Sequence, residues 1–198
     1  MKILVATGNM GKLREIKQIL TGTPYEAVSL KDLEITDTVE EDADSFSGNA
    51  LKKASFCCQL TGLVTIADDS GLCVDALDGA PGVYSARYSG EGATDATNNA
   101  LLLANIDAVP DEKRTAHFSC AMACVRPDGK QIVKEGQAQG VILRAPRGEN
   151  GFGYDPLFYV PEFNQTFAEL PADTKNRISH RGKALKALAE VLKDFLAD

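Results

Sequence analysis

The sequence lacks an excess of positive charge. Its 198 residues include 21 Lys and Arg against 28 Asp and Glu, which gives a formal net charge of −7. A protein that binds polymeric nucleic acid broadly needs a positive surface, so this balance argues against such a partner. A small anionic ligand remains compatible with it, because such a site needs only a few local cations.

Long apolar runs are also missing. No stretch reaches the roughly 20 apolar residues that a membrane-spanning helix requires. The apolar start of the chain, MKILVATGNMG, is interrupted too soon for the core of a secretory signal, so we expect no signal peptide. These features predict a cytoplasmic protein with no membrane partner.

The cysteines are odd in number and have no pairing pattern. Most lie within apolar periodic segments, and the Cys120 to Cys124 spacing has no second ligand pair that would hold zinc. We therefore expect reduced thiols in the core. The positions are Cys57, Cys58, Cys73, Cys120 and Cys124.

The first half of the chain alternates between short apolar runs and segments with helical periodicity. The runs predict buried strands over Lys2–Ala6, Ala27–Leu30 and Leu63–Ala67. Helices are predicted from about Leu13 to before Gly22, from an N-cap at Ser45 to about Leu60, and over Thr94–Ile106. A further strand is expected over Leu72–Leu77.

The second half changes to a hairpin pattern. The turn signal Pro127-Asp128-Gly129 separates two strand-like segments. Strands are predicted over Ala116–Val125, Gln131–Gln137, Gly140–Arg144 and Pro156–Val160, and the last helix carries an apolar stripe through Leu185, Leu188, Leu192 and Phe195. Together the two halves predict an α/β protein with a mixed sheet, in one domain over residues 1–198.

A Gly-containing turn, TGNMGK, follows the first strand. A helix N-terminus presents free N–H groups and the positive end of the helix dipole, so Thr7, Gly8, Asn9 and Lys12 could cradle phosphate. The spacing differs from that of the usual phosphate-binding loop, and Leu13 stands where Ser or Thr would bind Mg²⁺. In the alternative interpretation, Asn9 only caps the helix and Lys12 is a solvated charge.

Asp68 and Asp69 follow an apolar run in the segment ADDSG. The carboxyl ends of strands in α/β folds face ligand crevices, and two adjacent carboxylates there favour a bound cation. Mg²⁺ takes one or two carboxylates together with substrate phosphates, and Glu40 and Glu41 add two more in an irregular acidic stretch. The alternative is turn chemistry, in which Asp and Ser side chains bond the local backbone.

Two groups of cations are further candidates. Lys52 and Lys53 lie on different faces of a predicted helix, so one can face a site while the other stays in solvent. Ser179 can cap the last helix. His180 and Arg181 then lie near the positive end of the helix dipole, a placement that suits an acceptor-rich ligand.

Five motifs occur in one order along nearly the whole chain. They are TGNMGK, ADDSGL, GAPGVYSARYSG, GFGYDPLF and ISHRGKAL. Each motif is weak alone, but five in register are specific. On these motifs the sequence resembles the Ham1 family, the inosine and xanthosine triphosphate pyrophosphatases.

The resemblance implies both a fold and a reaction. The implied fold is an elongated mixed β-sheet flanked by helices, with two lobes and a central cleft. The implied reaction is the hydrolysis of ITP, dITP and XTP to the monophosphate and pyrophosphate, which removes these nucleotides from the pool. The resemblance further implies Mg²⁺ as cofactor and a homodimer.

The resemblance also assigns site residues. The residues implied to contact the phosphates are Thr7, Gly8, Asn9, Met10, Gly11, Lys12 and Lys53. Asp69 is the implied catalytic residue, with Asp68 as second choice, and the metal falls to Asp69 with Glu40 or Glu41. The implied base-recognition residues are Phe152, Asp155, Lys175, His180 and Arg181, and Ser70, Gly153 and Tyr154 are further implied substrate-binding residues.

Two positions depart from the family pattern. Gly48 stands where relatives commonly carry Glu, and Ala43 replaces a frequent Gly. A glycine in a helix interior costs about 1 kcal/mol, so we expect a weaker helix at this position. Ala43 is expected to stiffen the acidic stretch.

Two other functions remain open from the sequence. A Maf-type pyrophosphatase would share the architecture and hydrolyse other nucleotides, whereas a non-catalytic sensor would bind a triphosphate without cleaving it. The presence of Asp68, Asp69 and Glu40 argues against the sensor. The segment GVYSARYSG could contribute aromatic and Arg contacts to a dimer surface, or equally pack within its own chain.

Overall fold

The computed structural model describes residues 1–7 and 10–197, apart from the side chains of residues 10–12, 15 and 19. The strands are β1 (Lys2–Ala6), β2 (Glu26–Ser29), β3 (Val64–Val74), β4 (Thr115–Val125), β5 (Gln131–Ile142), β6 (Phe158–Val160) and β7 (Gln165–Thr166). The α-helices are α1 (Met10–Ile19), α2 (Phe46–Thr61), α3 (Asp95–Asn105), α4 (Ala172–Ile178) and α5 (His180–Ala197).

The strands form a mixed sheet in the order β2-β1-β3-β4-β5-β6-β7. Strand β1 is parallel to both of its neighbours, with Leu4 opposite Val28 of β2 and Thr65 of β3. Strand β6 is antiparallel to β5 and β7. Helices connect the parallel strands, as such connections require, so the predicted α/β class with a mixed sheet is confirmed.

The chain divides into two compact units. The first unit comprises Met1–Asp69, Cys120–Glu135 and Ala184–Asp198, and the second comprises Ser70–Ser119 and Gly136–Lys183. The single domain over residues 1–198 and the central cleft stay predictions.

In the first unit, α2 packs through small side chains. Ala50 and Ala54, one helical turn apart, are fully buried in a cluster that includes Leu4 of β1. The helix begins after Ser45, whose side chain accepts the backbone N–H of Gly48, and ends at Gly62 with a φ of 66°. Both ends agree with the caps that the sequence predicts. Glycine suits the C-terminal end because it adopts positive φ without steric cost.

In the second unit, an aromatic cluster forms part of the core. The Phe158 ring lies 4.7 Å from Phe118 and 4.8 Å from Phe167 between centroids. Helix α3 begins after Thr94, which forms a reciprocal capping box with Thr97. The cap fixes the first turn of α3, where Asp95 lies.

Arg114 is buried in the second unit with 2% of its surface exposed. Its guanidinium donates to the carbonyls of Ile142 at 2.9 Å, Ile106 at 2.7 Å and Leu143 at 3.1 Å. Because Ile106 is the C-cap of α3, the cation lies where the helix dipole favours positive charge. Burial lowers the pKa of Arg114 from its ordinary value.

The segment ADDSG is not a turn, so the prediction that Asp68 and Asp69 follow the end of a strand is wrong. Both residues lie within the continuous strand β3. Neighbouring side chains of a strand point to opposite faces, so the two carboxylates point to opposite sides of β3. The parallel pairing with β1 ends at Ala6 opposite Ala67, which places Asp68 directly beyond it.

Other differences concern element boundaries. The segments Gln131–Gln137 and Gly140–Arg144 form one strand, β5, and the segment predicted as a strand over Leu72–Leu77 ends in a 3₁₀ turn at Asp75–Leu77. Strand β7 and helix α4 have no counterpart among the predictions, because two residues and seven residues are too short for a periodic signal. Within the described residues, every helix is too short or too polar to cross a bilayer.

Gly48 lies in the first turn of α2 and not in its interior, so the expected helix penalty is wrong for this position. Its N–H donates to Ser45 Oγ at 3.1 Å. A Cβ at residue 48 would lie 2.9 Å from the Cβ of Ala43. The two departures from the family pattern are therefore neighbours, and the methyl group of Ala43 occupies space that a side chain at 48 would need.

The described part of the chain contains five free cysteines, as the sequence predicts. Cys57, Cys58, Cys120 and Cys124 are buried. Burial raises the pKa of the Cys124 thiol to about 12. Such a thiol stays protonated and unreactive near neutral pH.

Candidate functional site

Asn49 of α2 connects the acidic segment, residues 34–44, to β3 in the first unit. The residue is fully buried. Its Nδ2 donates to Asp69 Oδ2 at 3.0 Å, and its Oδ1 accepts the backbone N–H of Ala43 at 2.9 Å. Both polar groups of the amide are therefore satisfied by groups of the candidate site.

Lys53 lies one turn further along the same face of α2. Its ammonium is 2.8 Å from Glu41 Oε1 and donates to the backbone carbonyl of Asp68 at 3.1 Å. Lys52 pairs instead with Asp42, and its side chain is more exposed than that of Lys53. The expectation that these lysines differ in environment is confirmed.

The predicted metal ligands are carboxylates of the first unit. Glu40 is exposed, and Glu41 is paired with Lys53. In the part of the chain that the structure describes, no three His, Cys, Asp or Glu residues form a metal-binding group. The donors are hard oxygens and suit an ion that shares its coordination with substrate phosphates, so Mg²⁺ fits the donor chemistry. Ligation by Asp69, Glu40 and Glu41 stays a prediction.

The predicted phosphate-binding segment lies at the start of α1. Gly8 and Asn9 lie outside the described residues, and for Met10, Gly11 and Lys12 only the helical backbone is described. The backbone N–H of Thr7 donates to the carbonyl of Val5 at 2.9 Å. The phosphate contacts of this segment stay predictions.

A cavity of about 140 Å³ lies in the second unit. Pockets for drug-sized ligands typically measure 300–1,000 Å³, so this volume suits a single planar ring system. The predicted residues that line it are Ser70, Phe152, Gly153, Tyr154, Asp155, His180 and Arg181.

Phe152 is a half-exposed aromatic wall of this cavity. Lys175 Nζ lies 5.2 Å and Arg181 Cζ lies 4.8 Å from the centroid of its ring. Cations at this distance are attracted to the π-face. Two positive charges therefore lie beside the aromatic wall.

Arg181 lines the cavity and is held by Ser70. One terminal nitrogen donates to Ser70 Oγ at 2.9 Å. Its Nε is buried and has no hydrogen-bond partner among the residues described. The guanidinium is a cation with several donors, so it suits an acceptor-rich ligand in the cavity.

Asp155 organises the loop that carries Phe152. Its Oδ2 accepts from Lys175 Nζ at 2.5 Å and from the backbone N–H of Phe152 at 2.9 Å. Gly151 has a φ of 81°, and a Cβ there would lie 2.2 Å from Asp155 Oδ2. The loop therefore requires glycine at 151, both for its backbone conformation and for space.

Helix α3 holds the same loop through Gly153. The backbone N–H of Gly153 donates to Asp95 Oδ2 at 2.7 Å, and its carbonyl accepts from Asn99 Nδ2 at 2.9 Å. Asp95 and Asn99 are one helical turn apart. Both backbone groups of Gly153 therefore hold the loop on α3.

His180 and Tyr154 line the cavity with buried rings. The His180 ring stacks on Phe118, with 4.7 Å between centroids and 11° between planes. The Tyr154 hydroxyl donates to the Ser85 carbonyl at 2.8 Å. Burial raises the pKa of Tyr154 above its ordinary value, so the hydroxyl stays a neutral donor.

Three residues of these arrangements are absent from the sequence-based predictions: Asn49, Asp95 and Asn99. Asn49 is spaced i, i+4 from Lys53 on α2. Asp95 and Asn99 have the same spacing from each other on α3. Asn is a poor helix former away from caps, which is a usable signal for Asn49 and Asn99, whereas Asp95 lies in the first turn of α3, where Asp is favoured. The signal does not identify the partner, because Asp69 and Gly153 are distant in sequence.

The mixed sheet defines an α/β protein, and the cationic aromatic cavity of its second unit is a candidate site for an acceptor-rich ligand. The chain belongs to the Ham1 family, whose model matches residues 3–191.

Individual relatives match over nearly the full length of the chain. The dITP/XTP pyrophosphatase of Geobacter sulfurreducens is 56% identical over 96% of both chains. That of Desulforamulus reducens is 53% identical over 97% of this chain and 96% of its own. The solved structure of a HAM1 protein from Coxiella burnetii has a TM-score of 0.91 at 41% identity and covers 98% of this chain and 99% of its own.

Proposed function

We propose that this chain is a nucleoside triphosphate pyrophosphatase that hydrolyses ITP, dITP and XTP to the monophosphate and pyrophosphate. The observation that carries the proposal is the pair of cations, Lys175 and Arg181, beside the Phe152 ring of the cavity, because both are hydrogen-bond donors. Hypoxanthine and xanthine present a 6-oxo acceptor, where adenine presents an amino donor. We therefore expect the cavity to pair with hypoxanthine and xanthine and to mismatch adenine.

The reaction is attack of water on the α-phosphorus, with pyrophosphate leaving. Asp69 orients the water or accepts its proton, and Asp68 is the second choice for this role. Lys12 and Lys53 stabilise the charge that develops on the phosphates. Thr7 and the N-terminus of α1 bind the phosphates; the helix supplies its backbone N–H groups, whereas the N–H of Thr7 donates to the Val5 carbonyl.

Asp69 with Glu40 or Glu41 would hold Mg²⁺, which neutralises phosphate charge when bound. Glu41 pairs with Lys53 through Oε1, and its second oxygen can bind the metal while that ion pair is kept. The proposal also includes a homodimer, a cytoplasmic location and no polymeric nucleic acid as partner.

Membership of the Ham1 family favours this interpretation over a Maf-type pyrophosphatase. The matched relatives are named for the same substrates, dITP and XTP. A non-catalytic sensor is disfavoured by the same names, since they denote hydrolases.

The test is an assay of the purified protein with ITP and Mg²⁺ in which pyrophosphate and orthophosphate are measured separately. We expect stoichiometric pyrophosphate and IMP. Asp69→Asn should lower turnover by roughly 10²–10⁴-fold while nucleotide binding is retained. Release of orthophosphate, or binding without turnover in the wild type, would overturn the proposal.

A further inference from the structure

We infer that Asn49 is a positioning residue that fixes the orientation of the Asp69 carboxylate for the reaction. The inference rests on the proposed function, in which Asp69 acts on the attacking water. It concerns a residue that the motifs of the sequence do not assign to the site.

The first step is the identity of the contact. Asn49 is fully buried, and its Oδ1 lies 2.9 Å from the backbone nitrogen of Ala43. That N–H requires an acceptor, so the amide oxygen must face Ala43. The amide nitrogen is then the group that faces Asp69 Oδ2 at 3.0 Å, and it is a donor to the carboxylate.

The second step is what the contact restrains. The terminal torsion of an Asp side chain is broad and allows a range of carboxylate orientations. A buried donor attached to a helix narrows this range. Reaction rates depend on the placement of the reacting groups to within about 1 Å, so loss of this restraint should lower kcat.

The third step is the connection to the acidic segment. Asn49 and Lys53 lie one turn apart on α2, and each contacts both the acidic segment and β3. Asn49 therefore holds Ala43 and Asp69 at a fixed separation through one side chain. The same residue sets the position of Asp69 relative to the backbone that follows Glu40 and Glu41.

The kinetic test is a double-mutant cycle between Asn49→Ala and Asp69→Asn. Loss of an outer-shell partner typically costs about 10–100-fold in activity, and we expect Asn49→Ala to lower kcat for ITP by this factor with little change in KM. In the Asp69→Asn background, Asn49→Ala should have no further effect on kcat, because it acts through the carboxylate. An equal loss in both backgrounds would overturn the inference.

A second cycle uses stability and does not depend on activity or on metal. Asn49→Asp keeps an acceptor for Ala43 but places a second carboxylate against Asp69, so it should lower the midpoint of urea unfolding without added metal. Adding Asp69→Asn to this variant restores a donor and acceptor pair and should raise that midpoint. If Asp69→Asn changes the midpoint equally in the wild-type and Asn49→Asp backgrounds, the two side chains are not coupled and the inference fails.

Thr65→Val is the matched control. Thr65 is a fully buried residue of β3 whose hydroxyl donates to the Leu63 carbonyl at 3.1 Å. The variant loses a buried hydrogen bond on the same strand and should leave kcat unchanged. If Thr65→Val lowers kcat as much as Asn49→Ala does, both losses reflect the stability of the strand, and the inference fails. Wild-type protein that releases no pyrophosphate, or Asp69→Asn protein with full turnover, contradicts the proposed function instead.

Discussion

Lys175 and Asp155 form an ion pair at 2.5 Å in which the side chains are only 18% and 5% exposed. The pair joins α4 to the loop that carries Phe152, and the same Asp155 oxygen also holds the backbone of Phe152. Charge-assisted bonds of this kind are stronger than neutral ones. Asp155 is therefore required for the loop conformation as well as for the position of the lysine.

Asp155→Asn should lower the free energy of unfolding by roughly 1–3 kcal/mol, because it leaves the Lys175 ammonium without its charged partner. Adding Lys175→Met should recover part of this loss, since the uncompensated cation is then removed. Denaturant unfolding of the two variants measures the effect. Strictly additive losses would show that the pair is not energetically coupled.

Asn99→Ala should raise KM for ITP, because the carbonyl of Gly153 loses its partner and the Phe152 loop loses one of its two anchors on α3. The expected loss in kcat/KM is about 10-fold, equivalent to roughly 1.4 kcal/mol. Steady-state kinetics with ITP measures the change.

Asn105→Ala is the control on the same helix. Asn105 donates to the Tyr88 hydroxyl at 2.8 Å and does not contact Gly153. Its kinetics should match the wild type. Equal effects of the two substitutions would indicate that α3 stability, and not the loop contact, is responsible.

Arg114→Met should lower the free energy of unfolding by roughly 3 kcal/mol or more, because two buried carbonyls and one partly buried carbonyl lose their donor. Arg144→Met is the comparison, since Arg144 is 53% exposed and its ion pair with Asp111 is a surface one. Its loss should be about 0–1 kcal/mol. Similar losses for the two variants, measured by urea unfolding, would contradict the importance of Arg114.

Alkaline pH should destabilise the protein in part through Cys124. Burial raises the pKa of this thiol from 9.0 to about 12, so between these values the unfolded chain releases a proton that the native protein keeps. The free energy of unfolding should then fall with pH, at up to about 1.4 kcal/mol per unit from this group. The free energy of unfolding of the wild type and of Cys124→Ala, measured at pH 8 and pH 10, tests this contribution. An identical pH dependence in the two proteins would show that the Cys124 thiol does not contribute.

Much of the fold follows from local signals in the sequence. The caps Ser45 and Gly62 bound α2 within one residue of the prediction. Ser45 accepts a backbone N–H at the start of the helix through its side chain, and Gly62 ends the helix by its positive φ. The sequence predicts strand β3 in two pieces, because Asp68-Asp69-Ser70-Gly71 has the composition of a turn. Pairing within the sheet overrides this local preference.

The candidate site is predictable as a set of residues but not as a set of contacts. Phe152, His180 and Arg181 line one cavity as the motifs imply. That Asp95 and Asn99 bind Gly153, or that Asn49 binds Asp69, depends on the packing of α3 and α2, and no local sequence pattern encodes it. The same limit applies to Lys53, whose pairing with Glu41 is a tertiary contact.

The most direct measurement is kcat/KM for ITP and ATP, with pyrophosphate as the detected product, in the wild type and in Arg181→Ala. Sites that leave buried polar groups unpaired reject the wrong ligand by up to roughly 10⁴-fold, and we expect the wild type to prefer ITP strongly. Arg181→Ala should lower kcat/KM for ITP far more than kcat/KM for ATP, so the ratio of the two values should fall. An equal loss for both nucleotides, or equal rates with ITP and ATP in the wild type, would contradict recognition of the 6-oxo group by this cavity.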